Sequence, residues 1–212
     1  MTRRGRKPIL HRLPWSGWLV RAHMRSEPTR HHGVAIYYDV PDTGEKLLDR
    51  VTAALDQVDR FNRRRIERLI RDGVVIVIVP FEGRHFYSEY VNAICLDSRI
   101  LRRETSTTST IACAIVHESV HARFAHAGLF YNQRVAARME RRCVEEEIAF
   151  VARSPVVSQD ALAKWAALRR ADLERRWWTR RGRLESYATF LEKEGAPVWI
   201  SRLLRLRARF TI

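Results

Sequence analysis

The segment from Ile111 to Ala127 constrains this 212-residue chain more than any other. It follows a run rich in hydroxyl side chains suited to N-capping, Glu104-Thr105-Ser106-Thr107-Thr108-Ser109-Thr110, and is apolar on nearly every side, the pattern of a helix at the centre of a domain. Into that apolar helix the chain places His117-Glu118-Ser119-Val120-His121. Histidines four apart share one helical face and can each turn a ring nitrogen toward one metal ion, while Glu118, about 100° away, can reach a water on that ion. Two imidazoles and a carboxylate within one buried turn are costly to desolvate without a metal or a dedicated polar network. One metal ion is therefore the expected cofactor, with His117 and His121 as its ligands and Glu118 within reach of its water.

The rest of the chain reads as an α+β domain around that helix. Val34 to Tyr38 has strand composition, and from Gly44 to Arg71 apolar residues recur at helical spacing, with Gly73 as the expected stop. Val74 to Val79, closed by Pro80, is a β-branched run typical of a strand buried on both faces, and Asn92 to Asp97 reads as a further strand. Gly128 ends the central helix, and a further helix is expected from Gln133 to Arg153, stopped by Pro155. Three helical stretches follow, Ser158 to Trp178, Arg183 to Glu194 and Pro197 to Arg209. The expected organisation is a basic arm over residues 1–33, a metal-binding domain over 34–154, and a helical extension over 155–212 packed on the same domain.

Catalytic zinc takes about three protein ligands, so a third must come from elsewhere. An HExxHxxGxxH continuation fails in register: Phe124 and Ala127 stand where Gly and His or Asp are needed, and His126 is one residue early. Cys113 lies one turn before His117, but about 12 Å of helical rise separates it from His121, too far for one ion to bridge all three. The helix after Gln133 offers Glu140, Glu145, Glu146 and Glu147. On a helical wheel with Cys143 at 0°, Glu147 falls at about 40° and Glu140 at about 60°, inside the apolar sector; Glu146 is at its edge and Glu145 on the polar side. Those two glutamates are nearly two turns apart, about 10 Å along the axis, so only one can reach the ion. Glu147 is favoured, because it lies more than three turns into its helix among Cys143, Val144, Phe150 and Val151, with Glu140 as the alternative.

With strand, second strand, HExxH helix and glutamate helix in that order over residues 74–153, the chain resembles the gluzincins, zinc metallopeptidases that include thermolysin. In size it is closer to the compact minigluzincins and the metallopeptidase-like domains of the ImmA/IrrE type. The resemblance implies a small zincin-like mixed sheet in which Asn92 to Asp97 matches the edge strand. His117 and His121 then match zinc ligands, Glu118 the base, and Glu147 or Glu140 the third ligand. Where gluzincins often carry an Asp or Asn four residues after the ligand glutamate, Val151 and Val144 stand here, so the partner orienting a histidine is not identified. The implied activity is a zinc-dependent hydrolase, a metallopeptidase acting on a peptide or protein through a water activated by zinc and Glu118. Tyr87, Tyr90 and, behind them, His85 are candidates for stabilising the oxyanion.

The alternative is a basic binding module with a structural or vestigial zinc site. Lys and Arg total 39 against 24 acidic residues, a formal charge of +15, and only four of the cations are lysine. Arginines cluster at 63–65, 169–170, 175–176, 180–181 and near the C-terminus, with Trp177 and Trp178 among them, but no nucleic-acid motif is present. Weak, sequence-independent binding to nucleic acid or an anionic surface is the most these patches imply. The longest clean apolar run, Val74 to Val79, is far short of the roughly 18 residues of a membrane span. Three cysteines with apolar neighbours suggest a reducing compartment, and cytoplasm is the expected location.

Overall fold

The β-branched run is the centre of the sheet. In the computed structural model, which describes residues 20–38, 44–80, 84–131, 135–154, 158–174 and 197–209 and a few positions between 181 and 192, five strands lie in the order β1-β2-β3-β5-β4. These are β1 (Thr29–His31), β2 (Val34–Tyr38), β3 (Val75–Val79), β4 (Phe86–Ser88) and β5 (Ala93–Asp97). β3 pairs in parallel with β2 and β5, while β1 and β4 add antiparallel edges. The helices are α1 (Gly44–Arg71), α2 (Ser98–Leu101), α3 (Thr108–His126), α4 (Ala136–Val151), α5 (Gln159–Glu174) and α6 (Val198–Arg209). The fold is α+β, as the alternation of patterns implies.

Period-two alternation in β3 divides the core. Ile76 and Ile78 face a large cluster made with α1, α3 and Phe150, whereas Val77 and Val79 face Val20, Ala93 and Cys95 on the other side of the sheet. Val20 is fully buried there and β1 begins at Thr29, so residues 20–33 of the stretch expected as an arm over 1–33 contribute to the fold. Residues 1–19, with Trp15 and Trp18, lie outside the described residues, as do Trp177 and Trp178.

One expectation needs correction. Asn92 to Asp97 is not the sheet edge: β5 lies between β3 and β4, and the edge is β4, only three residues long and too short to carry a periodic signal. The helix over 183–194 falls largely outside the described residues.

Glycine places the helix ends. Gly73, at φ +63°, closes α1 with Val74 N–H donating to Leu69 O at 2.9 Å and Gly73 N–H to Ile70 O at 3.1 Å, the paired bonds of a Schellman stop. Gly128, at φ +78°, ends α3 with the same pair of bonds, to Phe124 and Ala125. Beyond that stop, α4 packs against α3.

A buried cation ties three helices. Arg65, on α1 after the non-helical residue Asn62, is 5% exposed; it donates to Ser119 Oγ (2.6 Å) and Val116 O (3.3 Å) of α3 and to Glu146 Oε2 (2.7 Å) of α4. Removing one member of a buried ion pair leaves the other uncompensated. Arg65→Ala should therefore destabilise the protein by about 3 kcal/mol in chemical denaturation. A loss below about 1 kcal/mol would show that the cluster does not clamp the helices.

Candidate metal centre

α3 forms where the hydroxyl cluster caps it. Thr107 is the N-cap, its Oγ1 accepting Thr110 N–H at 3.2 Å, and Arg50 of α1 donates to the carbonyls of Leu101 and Ser106 in the connection before it. Ile111, Ala112, Ile115, Val116 and Val120 are buried, and the helix lies between the sheet and α1 and α4. His117, Glu118 and Ser119 are buried with them.

The His117 and His121 rings lie 5.1 Å apart, and α4 presents Glu140 to both. Glu140 Oε2 is 3.2 Å from His117 Nε2 and Glu140 Oε1 is 3.5 Å from His121 Nε2. Its carboxylate is 2% exposed, and Oε2 is buried without a hydrogen-bond partner although an imidazole nitrogen is beside it. A buried carboxylate oxygen with ring nitrogens close by and no hydrogen bond is a donor set that fits a metal ion, since two imidazoles and one carboxylate are ligands that Zn²⁺ accepts.

Glu147, favoured as third ligand, is elsewhere. Its Oε1 lies 2.5 Å from His117 Nδ1, the nitrogen on the far side of the ring from Glu140. Arg169 of α5 donates Nη2–H to Glu147 Oε1 (2.6 Å) and Nε–H to Oε2 (2.9 Å). The physical reason is position along the helix: where α4 packs on α3, Glu140 meets the Nε2 atoms of both histidines, while Glu147, seven residues on, meets only the opposite nitrogen of His117. Glu147, bonded to His117 Nδ1 and held by Arg169, is therefore placed to fix the orientation of that ring, a place for which the sequence named no residue. Two further groups went unread there: Arg169, which looked like part of a surface patch, and Cys143. One turn after Glu140 on the same face, Cys143 places Sγ 3.5 Å from His121 Nε2, and His117, His121 and Cys143 offer ligand atoms within 4.8 Å of one another. The i, i+3 spacing of Glu140 and Cys143 was the available signal. Cys113 stays a core residue, its thiol pushed up to about 12 by burial.

A cleft of about 320 Å³ opens beside these groups, lined by Glu118, His117, His121 and Glu140 on the helix side and by residues 84–90, including β4, on the sheet side. Of the proposed oxyanion groups, Tyr87 is engaged, its hydroxyl donating to Asn92 Oδ1 at 2.8 Å and pushed up to about 12 chiefly by burial. Tyr90 is 53% exposed. His85 is the better placed: its Nδ1 accepts Asp97 N–H at 3.1 Å, which leaves Nε2 as the protonated nitrogen, and burial holds the ring neutral, down at about 4.

No family model, curated protein or solved structure matches this chain.

Charge in the cluster is strongly coupled. Burial works against an imidazolium at His117, but the carboxylates of Glu140 and Glu147 outweigh it and push the ring up to about 10. Burial would raise both carboxyls, yet the histidines hold Glu140 well below the carboxylate range, and His117 with Arg169 lowers Glu147. In the metal-free fold the raised His117 therefore adds stability that is complete below about 6.5 and is lost as pH climbs toward 10. A metal ligand must be neutral, so uptake must expel that proton. Calorimetry of zinc binding near neutral pH, in two buffers of different ionisation enthalpy, should show about one proton released per tightly bound ion. Uptake without proton release would contradict this charge state.

Proposed function

We propose that the protein is a zinc-dependent hydrolase of peptide bonds, with His117, His121 and Glu140 holding a single ion and Glu118 as general base. The observation that carries this reading is the Glu140 carboxylate lying against the Nε2 atoms of both motif histidines, at 3.2 and 3.5 Å, beside a cleft that Glu118 also lines. Zn²⁺ held there would supply a Lewis acid that acidifies water and polarises a carbonyl oxygen. Glu118 takes the proton of the attacking water and returns it to the leaving amine. His85 donates from Nε2 toward the carbonyl oxygen as it gains charge, and Glu147, held by Arg169, fixes the His117 ring through Nδ1. The open side of β4 supports an extended peptide as substrate, because an edge strand offers unpaired backbone groups to a second chain. On this reading the gluzincin resemblance extends to the ligand set, and the three buried free cysteines suit a reducing compartment such as the cytoplasm.

Cys143 favours a second reading. Should its sulfur join His117, His121 and Glu140, the ion would have four protein ligands and no open position, and the site would be structural. The chain would then be a binding module, as its net charge suggests. Several of the arginines behind that view are nevertheless committed within the fold: Arg65 to Glu146, Arg169 to Glu147, Arg181 to Glu185 and Arg205 to Glu192. Among the described residues no helix is long and apolar enough to cross a membrane, although Trp199, Leu203 and Leu206 of α6 are exposed.

Zinc-loaded protein incubated with a peptide library and read by mass spectrometry should show cleavage, and Glu118→Gln should slow it by about 10²-fold or more while keeping the metal and the melting temperature. No cleavage by the wild type, or equal cleavage by the variant, would refute the hydrolase. Cys143→Ser separates the two readings. The hydrolase keeps its zinc and its activity, whereas a four-ligand structural site loses affinity for the ion.

A further inference from the structure

We infer that His31, His32 and Asp56 form a second metal site, for a divalent transition-metal ion, at the junction of the β1–β2 hairpin and α1. Two imidazoles converge on one oxygen: His31 Nε2 and His32 Nε2 each lie 2.7 Å from Asp56 Oδ1. Their ligand atoms fall within 4.8 Å of one another, about the spacing of donors around one small cation. Asp59, one turn further along α1, places Oδ2 4.0 Å from His32 Nδ1, on the opposite side of that ring. Without an ion both Nε2–H groups donate to Asp56 Oδ1, so a bound ion takes the place of those protons, and Asp59 stands near His32 Nδ1 to attract the proton that moves there.

The backbone is arranged to bring the rings together. Adjacent residues of a strand point to opposite faces, so two consecutive histidines would ordinarily diverge. Here the hairpin turns at His32-Gly33, with φ of +47° and +82°, positive at both central positions as a type I′ turn requires. The left-handed conformation at a non-glycine residue, where Asn or Gly is the usual choice, swings His32 to the side of His31, and the rings meet at 4.5 Å with 72° between planes. The turn thus accepts a disfavoured residue at its corner and gains a chelating pair.

The donor set states the ligand class. Two imidazole nitrogens with one carboxylate oxygen favour Zn²⁺, Ni²⁺, Co²⁺ or Cu²⁺ over Mg²⁺ or Ca²⁺, which prefer oxygen alone. His31, His32 and Asp56 are 30%, 34% and 58% exposed at their side chains, so an ion can enter from solvent and water can complete its shell. Such a site exchanges its ion more readily than the buried centre. An ion there would pin the hairpin, and with it the edge of the sheet, to α1.

The test is calorimetric titration of the full, tag-free, metal-stripped chain with Zn²⁺ and separately with Mg²⁺. The wild type should show a weaker zinc equivalent that Mg²⁺ does not reproduce. His31→Gln together with His32→Asn should abolish that equivalent with circular dichroism unchanged, since Asn tolerates the positive φ and neither replacement leaves an imidazole. Asp56→Asn, which leaves the turn untouched, should weaken it at least tenfold. The same equivalent must persist in His117→Ala, so its presence does not depend on the buried centre. A wild type lacking the weaker equivalent, or one that survives in the folded double variant, would overturn the second site.

Discussion

A charged carboxylate closed off from solvent must be neutralised where it stands, and Glu140 is the group around which this molecule satisfies that requirement. It is one of the most deeply buried polar side chains among the described residues, and ring nitrogens of His117 and His121 lie beside its two oxygens. Several other features serve that contact. α3 must be central to bring its histidines against Glu140, Gly128 must end α3 so that the chain can leave it and α4 can pack alongside, and Arg65 must hold α1, α3 and α4 together through Ser119 and Glu146. The charges form a relay outward from the centre, from Glu140 through His117 to Glu147 and on to Arg169.

The helical extension acquires a purpose from that relay. α5 packs on α4, and its Arg169 meets Glu147 with two hydrogen bonds. Without this cation Glu147 would stand as a second buried carboxylate beside His117 with no other strong donor. The extension therefore takes part in the electrostatics of the centre. A bidentate guanidinium also fixes the plane of the carboxylate, and with it the orientation of the histidine ring.

Much of this was legible in the sequence, for identifiable reasons. β2, β3 and β5 are continuous apolar runs, α1 and α4 have apolar faces at helical spacing, and the HExxH helix stood out because ionisable residues interrupt an otherwise apolar segment. β1 and β4 were not legible: three residues give no period, and each is held by its neighbour strand rather than by its own composition. The helical wheel correctly brought Glu140 and Glu147 to the inner face of α4 and separated them from Glu145. It could not choose between them, because angle around an axis says nothing about height along it, and height depends on how far the 127–135 connection lets α4 slide past α3. For the same reason Cys143 could be seen as buried but not as facing His121. His31 and His32 gave no signal at all, since their convergence depends on a positive φ at His32.

The division of labour between the two glutamates is the most exposed point. Metal content after gel filtration, measured by elemental analysis on tag-free wild type, Glu140→Gln and Glu147→Gln, addresses it directly. If Glu140 is a ligand and Glu147 an orienting partner, the wild type retains about one equivalent of zinc, Glu140→Gln loses it, and Glu147→Gln keeps it with affinity reduced about 10- to 100-fold. A wild type with well under half an equivalent and no uptake on titration would contradict the metal centre, and loss in Glu147→Gln with retention in Glu140→Gln would contradict the assignment of its ligands.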